Sequence, residues 1–237
     1  MKLANTKTVR VIIVTLSLAG SLTHAAVFFN DGQSHDIDYE IDDDVWVDSG
    51  APAMFTTVNL LDGGRVVRYL MAFEDSRINI LGGSAVAVGA HQNSLVKMSA
   101  GAVEGGFLPM HNSRAFISGG SIAGQLKTGN TCRVDLSGGS IGLELIVSHT
   151  AVLTIHGLNF AVDGRPFGYG WVHSIYGGNW DEEPDRRLTG TLACGTPIDN
   201  DFLIGDDAKI LLAPPGDLDS DGDVDLFDLS ILALQWR

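Results

Sequence analysis

A glycine recurs along the middle of this chain at Gly64, Gly83, Gly101, Gly120 and Gly139, with spacings of 19, 18, 19 and 19 residues. The segments around it share a pattern: VNLLDGGRVV (58–67), INILGGSAVA (78–87), VKMSAGAVEG (96–105), AFISGGSIAG (115–124) and RVDLSGGSIG (133–142). A sixth, VLTIHGLNFA (152–161), keeps the frame with Leu158 in the glycine's place. Five residues before the glycine stand Asn59, Ile78, Val96, Ala115, Val134 and Leu153. Three before it stand Leu61, Ile80, Met98, Ile117, Leu136 and Ile155, and two after it Val66, Ala85, Val103, Ile122, Ile141 and Phe160. Alternation with period two marks a half-buried strand. The glycine pair then turns the chain into another short strand, since a tight corner needs positive φ or close backbone approach. Second turns fall near 90–94, 109–113 and 127–131, where Asn93, Asn112 and Asn130 suit left-handed or side-chain-capped conformations.

One such unit cannot bury its apolar face alone, whereas stacked units can, because each equivalent position lands on its predecessor. The pattern therefore predicts an all-β parallel solenoid with coils of about 19 residues. The six-residue sub-period of left-handed hexapeptide helices is missing, which favours right-handed winding. The arrangement over roughly 55–162 resembles the right-handed parallel β-helix class, which includes pectate-lyase-like enzymes, phage tailspikes and secreted adhesive proteins. That resemblance implies a fold and leaves function open.

The ends read differently. Residues 1–25 carry Lys2, Lys7 and Arg10, then the apolar stretch VIIVTLSLAG (11–20) and a small-residue exit, the pattern of a secretory signal peptide. Residues 26–162 form the solenoid with its N-terminal coils, and 163–213 an extension and cap with short β runs at 187–193, 201–205 and 208–213. Pro214 and Pro215 stiffen the exit to a separate tail, 214–237.

The net charge is −14, and removing three bases with residues 1–25 makes it −17. Such acidity argues against nucleic acid as a partner, because a phosphate backbone demands basic groups. No segment after the signal peptide is long and apolar enough to span a membrane. Cys132 and Cys194 either pair across a long loop in an oxidising compartment or remain thiols.

The tail carries the strongest motif. GDLDSDGDVDLFDLSILALQWR (216–237) places Asp217, Asp219, Asp221, Asp223, Asp225 and Asp228 at loop positions 1, 3, 5, 7, 9 and 12, with Gly222 at 6 and Val224 at 8. This is the spacing of a Ca²⁺ loop, in which oxygen donors close around one hard cation and glycine makes the sharp turn. The carboxylates repel one another without a cation, so binding and ordering are expected to be coupled. Residues 226–237 then read as a short helix with Leu226, Leu229, Leu232 and Trp236 on one face, which calls for a partner surface. The stretch 217–232 resembles one half of a type I dockerin module, a calcium loop closed by aspartate followed by a helix. A complete module has two such units, and one is present here. The resemblance implies attachment of a secreted protein to a cohesin-like or cell-surface protein.

Weaker candidates complete the survey. Asp42–Asp44 read as a solvated turn. Tyr169, Trp171, Tyr176 and Trp180 suit either cap packing or sugar stacking, and Asp181, Glu182, Glu183 and Asp185 precede Arg186 and Arg187. His91 and His111 occupy matching turns, with Gln92 beside His91. Arg77, Lys97 and Arg114 fall near a common edge without a matching carboxylate ladder. No catalytic constellation stands out. The reading is a secreted or surface-displayed, non-catalytic β-helical protein with a Ca²⁺-binding attachment tail and extracellular polysaccharide as a further partner. The alternative is a polysaccharide lyase or glycoside hydrolase using a lateral groove.

Overall fold

The computed structural model describes residues 25–50, 54–172, 186–217, 224–226 and 228. Residues 1–24 of the expected signal peptide (1–25) and residues 173–185, with Tyr176, Trp180 and the acids that follow, lie outside the described residues. The chain winds through three parallel ladders in turn. Ladder A stacks β1 (Val27–Phe29), β4 (Val45–Val47), the second half of β6 (Arg65–Ala72) and of β8 (Ser84–Ala90), β11 (Phe107–Pro109), β13 (Leu126–Thr128), β15 (Leu145–Val147) and β20 (Pro197–Ile204). Ladder B stacks β2 (Ser34–Ile37), β5 (Thr57–Leu60), β7 (Arg77–Ile80), β9 (Leu95–Met98), the first halves of β12 (Arg114–Ile122), β14 (Arg133–Ile141) and β16 (Val152–Val162), and β21 (Lys209–Ala213). Ladder C joins β3 (Glu40–Ile41), the first halves of β6 and β8, β10 (Ala102–Val103) and the second halves of β12 and β14.

The expected all-β solenoid is present, and its register gives the coil length directly. Leu95 pairs with Arg114, Arg114 with Arg133 and Arg133 with Val152, each 19 residues on. Stacking places like side chains in columns. Ile37, Leu60, Ile80, Met98, Ile117, Leu136, Ile155 and Leu212 form one buried column. Val45, Leu70, Val88, Phe107, Leu126, Leu145 and Phe202 form another, on ladder A. Each fully buried side chain of this size contributes roughly 1.5–3 kcal/mol by leaving water, so the columns supply the driving force that a single coil lacks.

The corner between ladders B and C is where glycine is needed. Gly83 has φ 61°, and a Cβ there would lie 2.3 Å from the carbonyl oxygen of Gly64 in the coil below. Both a side-chain-free residue and a left-handed backbone are required at once. The first coil departs from the sequence frame. Thr57 pairs with Arg77, 20 residues on, and positive φ falls on Gly63. The extra residue shifts the inward positions to Val58 and Leu60, so Asn59 and Leu61 lie outside the core, contrary to the expected frame. A one-residue slip exchanges the two faces of a strand.

The corner between ladders A and B closes on a hydrogen-bonded turn, with Ser94 N–H to His91 C=O and Ser113 N–H to Met110 C=O. The left-handed residues there are Glu74, Gln92, His111, Asn130, His149 and Asp206. Asn130 matches expectation, whereas Asn93 and Asn112 sit one place later and the left-handed position falls on Gln92 and His111. Inside this corner runs a buried column of small side chains: Thr56, Ser76, Ser94, Ser113, Cys132, Ala151 and Ala208.

The frame lost after Phe160 is regained. The second half of β16 pairs antiparallel with β17 (Arg165–Pro166) and β19 (Arg186–Leu192), and β18 (Gly170–Val172) pairs antiparallel with β21. β19 then pairs antiparallel with β20, which rejoins ladder A beside β15, while β21 rejoins ladder B beside β16. Residues 197–213 thus add strands to the solenoid itself.

Candidate functional site

The tail begins where β21 ends. Asp217 N–H donates to Pro214 C=O at 3.3 Å, with Gly216 at φ 99°. A Cβ on Gly216 would lie 3.8 Å from both methyl carbons of Val224, so the start of the loop and its eighth position lie against each other. Asp217 is fully buried and Asp228 is 3% exposed. Asp225 N–H donates to Asp228 Oδ2 at 2.7 Å, which turns the last carboxylate toward the loop. Leu226 and Asp228 have helical backbone, and Leu226 is 80% exposed. Asp219, Asp221 and Asp223 lie outside the described residues. Oxygen donors of this hardness suit Ca²⁺, and the flexible six- to eight-oxygen shell of that ion tolerates a loop of mixed carboxylate and carbonyl ligands.

The outer side of ladder B carries two adjacent columns. One runs Ser34, Thr57, Arg77, Leu95, Arg114, Arg133, Val152 and Lys209. The other runs Asp36, Asn59, Asn79, Lys97, Phe116, Asp135, Thr154 and Leu211. At the N-terminal end amides link the coils: Asn79 Nδ2 donates to Asn59 Oδ1 at 2.8 Å, and Asn59 Nδ2 to Asp36 Oδ1 at 2.7 Å. Farther along, Lys97 Nζ lies 5.9 Å from the centre of the Phe116 ring, and His156 Nε2 lies 3.4 Å from Asp135 Oδ1. The sequence placed Arg77, Lys97 and Arg114 near one edge. Strand register brings Arg133 into the same set.

A second surface column follows ladder A. Phe28 packs edge-on against Trp46 at 5.6 Å, Trp46 lies 5.9 Å from Phe73, Phe73 stacks on His91 at 5.2 Å and His91 lies 5.4 Å from His111. Partial burial, and then the charge of His111, hold His91 below the usual imidazole range. The two Nδ1 atoms are 3.3 Å apart, so one proton shared between the rings satisfies both. The histidines had been paired from matching turns. Their aromatic continuation was missed, because Phe28, Trp46 and Phe73 stand outside the glycine frame.

The remaining candidates have structural partners. Asp44 Oδ1 accepts the Tyr69 N–H at 3.2 Å. Tyr169 lies edge-on to Phe160, and the Lys209 ammonium sits 5.3 Å from the centre of the Trp171 ring. A cleft of about 420 Å³ opens between Thr150, Val172, Asp206, Asp207 and Lys209. Asp206 Oδ2 there accepts the His149 N–H at 3.1 Å. Both cysteines are free. Cys132 points into the small-residue column, donates to Pro109 C=O at 3.3 Å and is pushed up to about 11 by burial. Cys194 is exposed at the glycine corner, where its contact with the Thr196 hydroxyl holds it below the ordinary thiol value. One thiol faces inward and the other outward, which leaves them unpaired. Among the described residues no helix is long and apolar enough to cross a membrane. No protein-family model, no curated protein and no solved structure matches the chain.

Proposed function

We propose that this chain is a secreted scaffold whose right-handed solenoid presents its flanks to extracellular partners, while the C-terminal loop holds Ca²⁺ and attaches the molecule to a cohesin-like or cell-surface protein. One observation carries the tail's part in this reading. Asp217 and Asp228, loop positions 1 and 12, are buried side chains at opposite ends of one loop. A buried carboxylate needs hydrogen bonds or cationic charge around it, and Ca²⁺ would supply the charge at both ends of the loop. The carboxylates of Asp217, Asp219, Asp221 and Asp228 and the carbonyl of Asp223 would hold the ion, with Asp225 acting through water. The ion supplies positive charge and pins the helix that follows.

Calcium titrated calorimetrically into the whole chain should reveal one site, lost when Asp217 and Asp228 are both replaced by alanine while the solenoid's melting temperature is kept. Equal heats for the two proteins would remove the tail from this account. One observation favours a second reading, a polysaccharide-cleaving enzyme. His156 and Asp135 pair on the outer side of ladder B beside Arg133, a base with a nearby cation. Release of shortened oligosaccharides from a panel of polysaccharides, abolished by His156→Ala, would establish it over the display role.

A further inference from the structure

Ladder B presents one base from each of four consecutive coils: Arg77 on β7, Lys97 on β9, Arg114 on β12 and Arg133 on β14. All four are exposed, and none forms an ion pair among the described residues. The same outward positions of these coils hold a single carboxylate, Asp135, which His156 engages. At the neighbouring corner Asp75 stands beside Arg77, and the equivalent positions of the next coils are the neutral Asn93, Asn112 and Thr131. This concentration runs against the composition. The chain has 29 acids and 15 bases, and only twelve bases remain beyond Lys2, Lys7 and Arg10. One third of those twelve line a single strip. Mutual repulsion along it disfavours such a row unless something anionic lies on it.

We infer that this strip is the docking site for a linear acidic polysaccharide, laid along the solenoid axis with its carboxylate or sulfate groups against the bases. This rests on the reading of the solenoid as a display scaffold and names the partner of one flank. Coils are about 4.8 Å apart, so the strip covers about 14 Å with roughly one positive charge per coil. A sugar residue is about as long as a coil is thick, so one acid group per sugar keeps step with the bases. Duplex DNA carries one charge per about 1.7 Å, far denser than the strip, and the acidic body repels it. Arginine forms two parallel hydrogen bonds to a carboxylate or sulfate. Between the bases, Leu95 and the 40%-exposed Phe116 offer apolar surface to the C–H face of a sugar ring. Lys97 over Phe116 holds that ring beside a charge.

The test is affinity electrophoresis and calorimetry of the whole chain with alginate, a sulfated galactan, neutral dextran and single-stranded oligodeoxythymidylate. EDTA is present throughout, so that calcium gelling of the glycan and the tail's own ion do not contribute. Binding to alginate or to the galactan, absent with dextran and weakened by added salt, is expected, and the two acidic arms tell carboxylate from sulfate. Arg114→Glu with Arg133→Glu should weaken it at least tenfold, and Arg114→Gln with Arg133→Gln by a smaller factor. Arg165→Glu, on β17, should leave it unchanged, with circular dichroism verifying the fold of each. Unchanged affinity in both double variants, an equal loss in Arg165→Glu, equal binding of dextran, or equal binding of the oligonucleotide would overturn the proposal. Because EDTA silences the tail, a negative result here leaves the calcium titration standing, and a failed titration leaves this result standing.

Discussion

The coils from β5 to the first half of β16 and the return segment from β17 to β21 build the same solenoid by different routes. In the coils a strand stacks on the one a single turn earlier: Val134 lies over Ala115 and beneath Leu153. In the return segment the partner is three coil lengths away, since Val152 pairs with Lys209 and Leu145 with Phe202, 57 residues on in each case. Between these points the chain leaves the ladders and lays β19 antiparallel against the second half of β16. That excursion covers a strand edge that would otherwise present unpaired N–H and C=O groups. The difference teaches that a coil is defined by what it presents to the column below, and proximity in sequence is only the simplest way to deliver it.

The largest expected effect tests whether the two routes reach the same core. Phe107→Ala in a coil and Phe202→Ala in the return segment remove fully or almost fully buried rings from one column. Each should cost about 3–5 kcal/mol in urea melts. A cost for Phe202 under half that for Phe107 would mean that the return segment only rests on the solenoid.

Glycine separates the routes more sharply. A Cβ at Gly138 would stand 2.2 Å from the Ser118 carbonyl oxygen one coil below, so Gly138→Ala should cost about 1–3 kcal/mol through displacement of the backbone. Gly195, in the return segment, has φ 91° and nothing within 4 Å of its Cβ position. Gly195→Ala should therefore cost about 1–2 kcal/mol, from backbone strain alone. Crystal structures of the two variants should show a shifted neighbouring coil for Gly138→Ala only.

The smallest effect is acid sensitivity of the return segment. The Arg187 backbone N–H and the Arg186 guanidinium hold Asp163 below its ordinary 3.8, and the Arg187 guanidinium does the same for Asp199. A lowered carboxylate contributes stability above its unfolded value, and that contribution is lost as pH falls through the folded value. Hydrogen exchange between about pH 5 and about pH 3 should therefore show β19 and β20 losing protection in acid. Asp163→Asn should make the β19 part of that loss insensitive to pH. Unchanged protection of wild-type β19 across this range would show that these exposed contacts do not hold the segment.

The coil length, the inward columns and the glycine corner could be read from spacing, because one geometry repeated many times averages out local exceptions. The first coil shows the limit: one added residue before Gly64 reverses which of Val58 and Asn59 is buried, and only strand pairing reveals it. The return segment had a signal that went unused, since LIVSHTAVLTI (145–155) and FLIGDDAKILL (202–212) share apolar residues at 145–147, 151, 153 and 155 and at 202–204, 208, 210 and 212. A search confined to adjacent periods overlooks a coil displaced by three. In the tail, spacing alone named the six aspartates, and the structure adds the burial of Asp217 and Asp228.

By itself the sequence determined that the chain must stack on itself, because each repeat carries an apolar face that only another repeat can cover. It also determined the spacing of the six aspartates in the tail, because that spacing is local. Only the tertiary structure decided that Arg133 joins Arg77, Lys97 and Arg114 on one surface. Arg77 and Arg133 are 56 residues apart along the chain and three coils apart in space. That neighbourhood arises from the register of parallel strands, which a single strand does not contain.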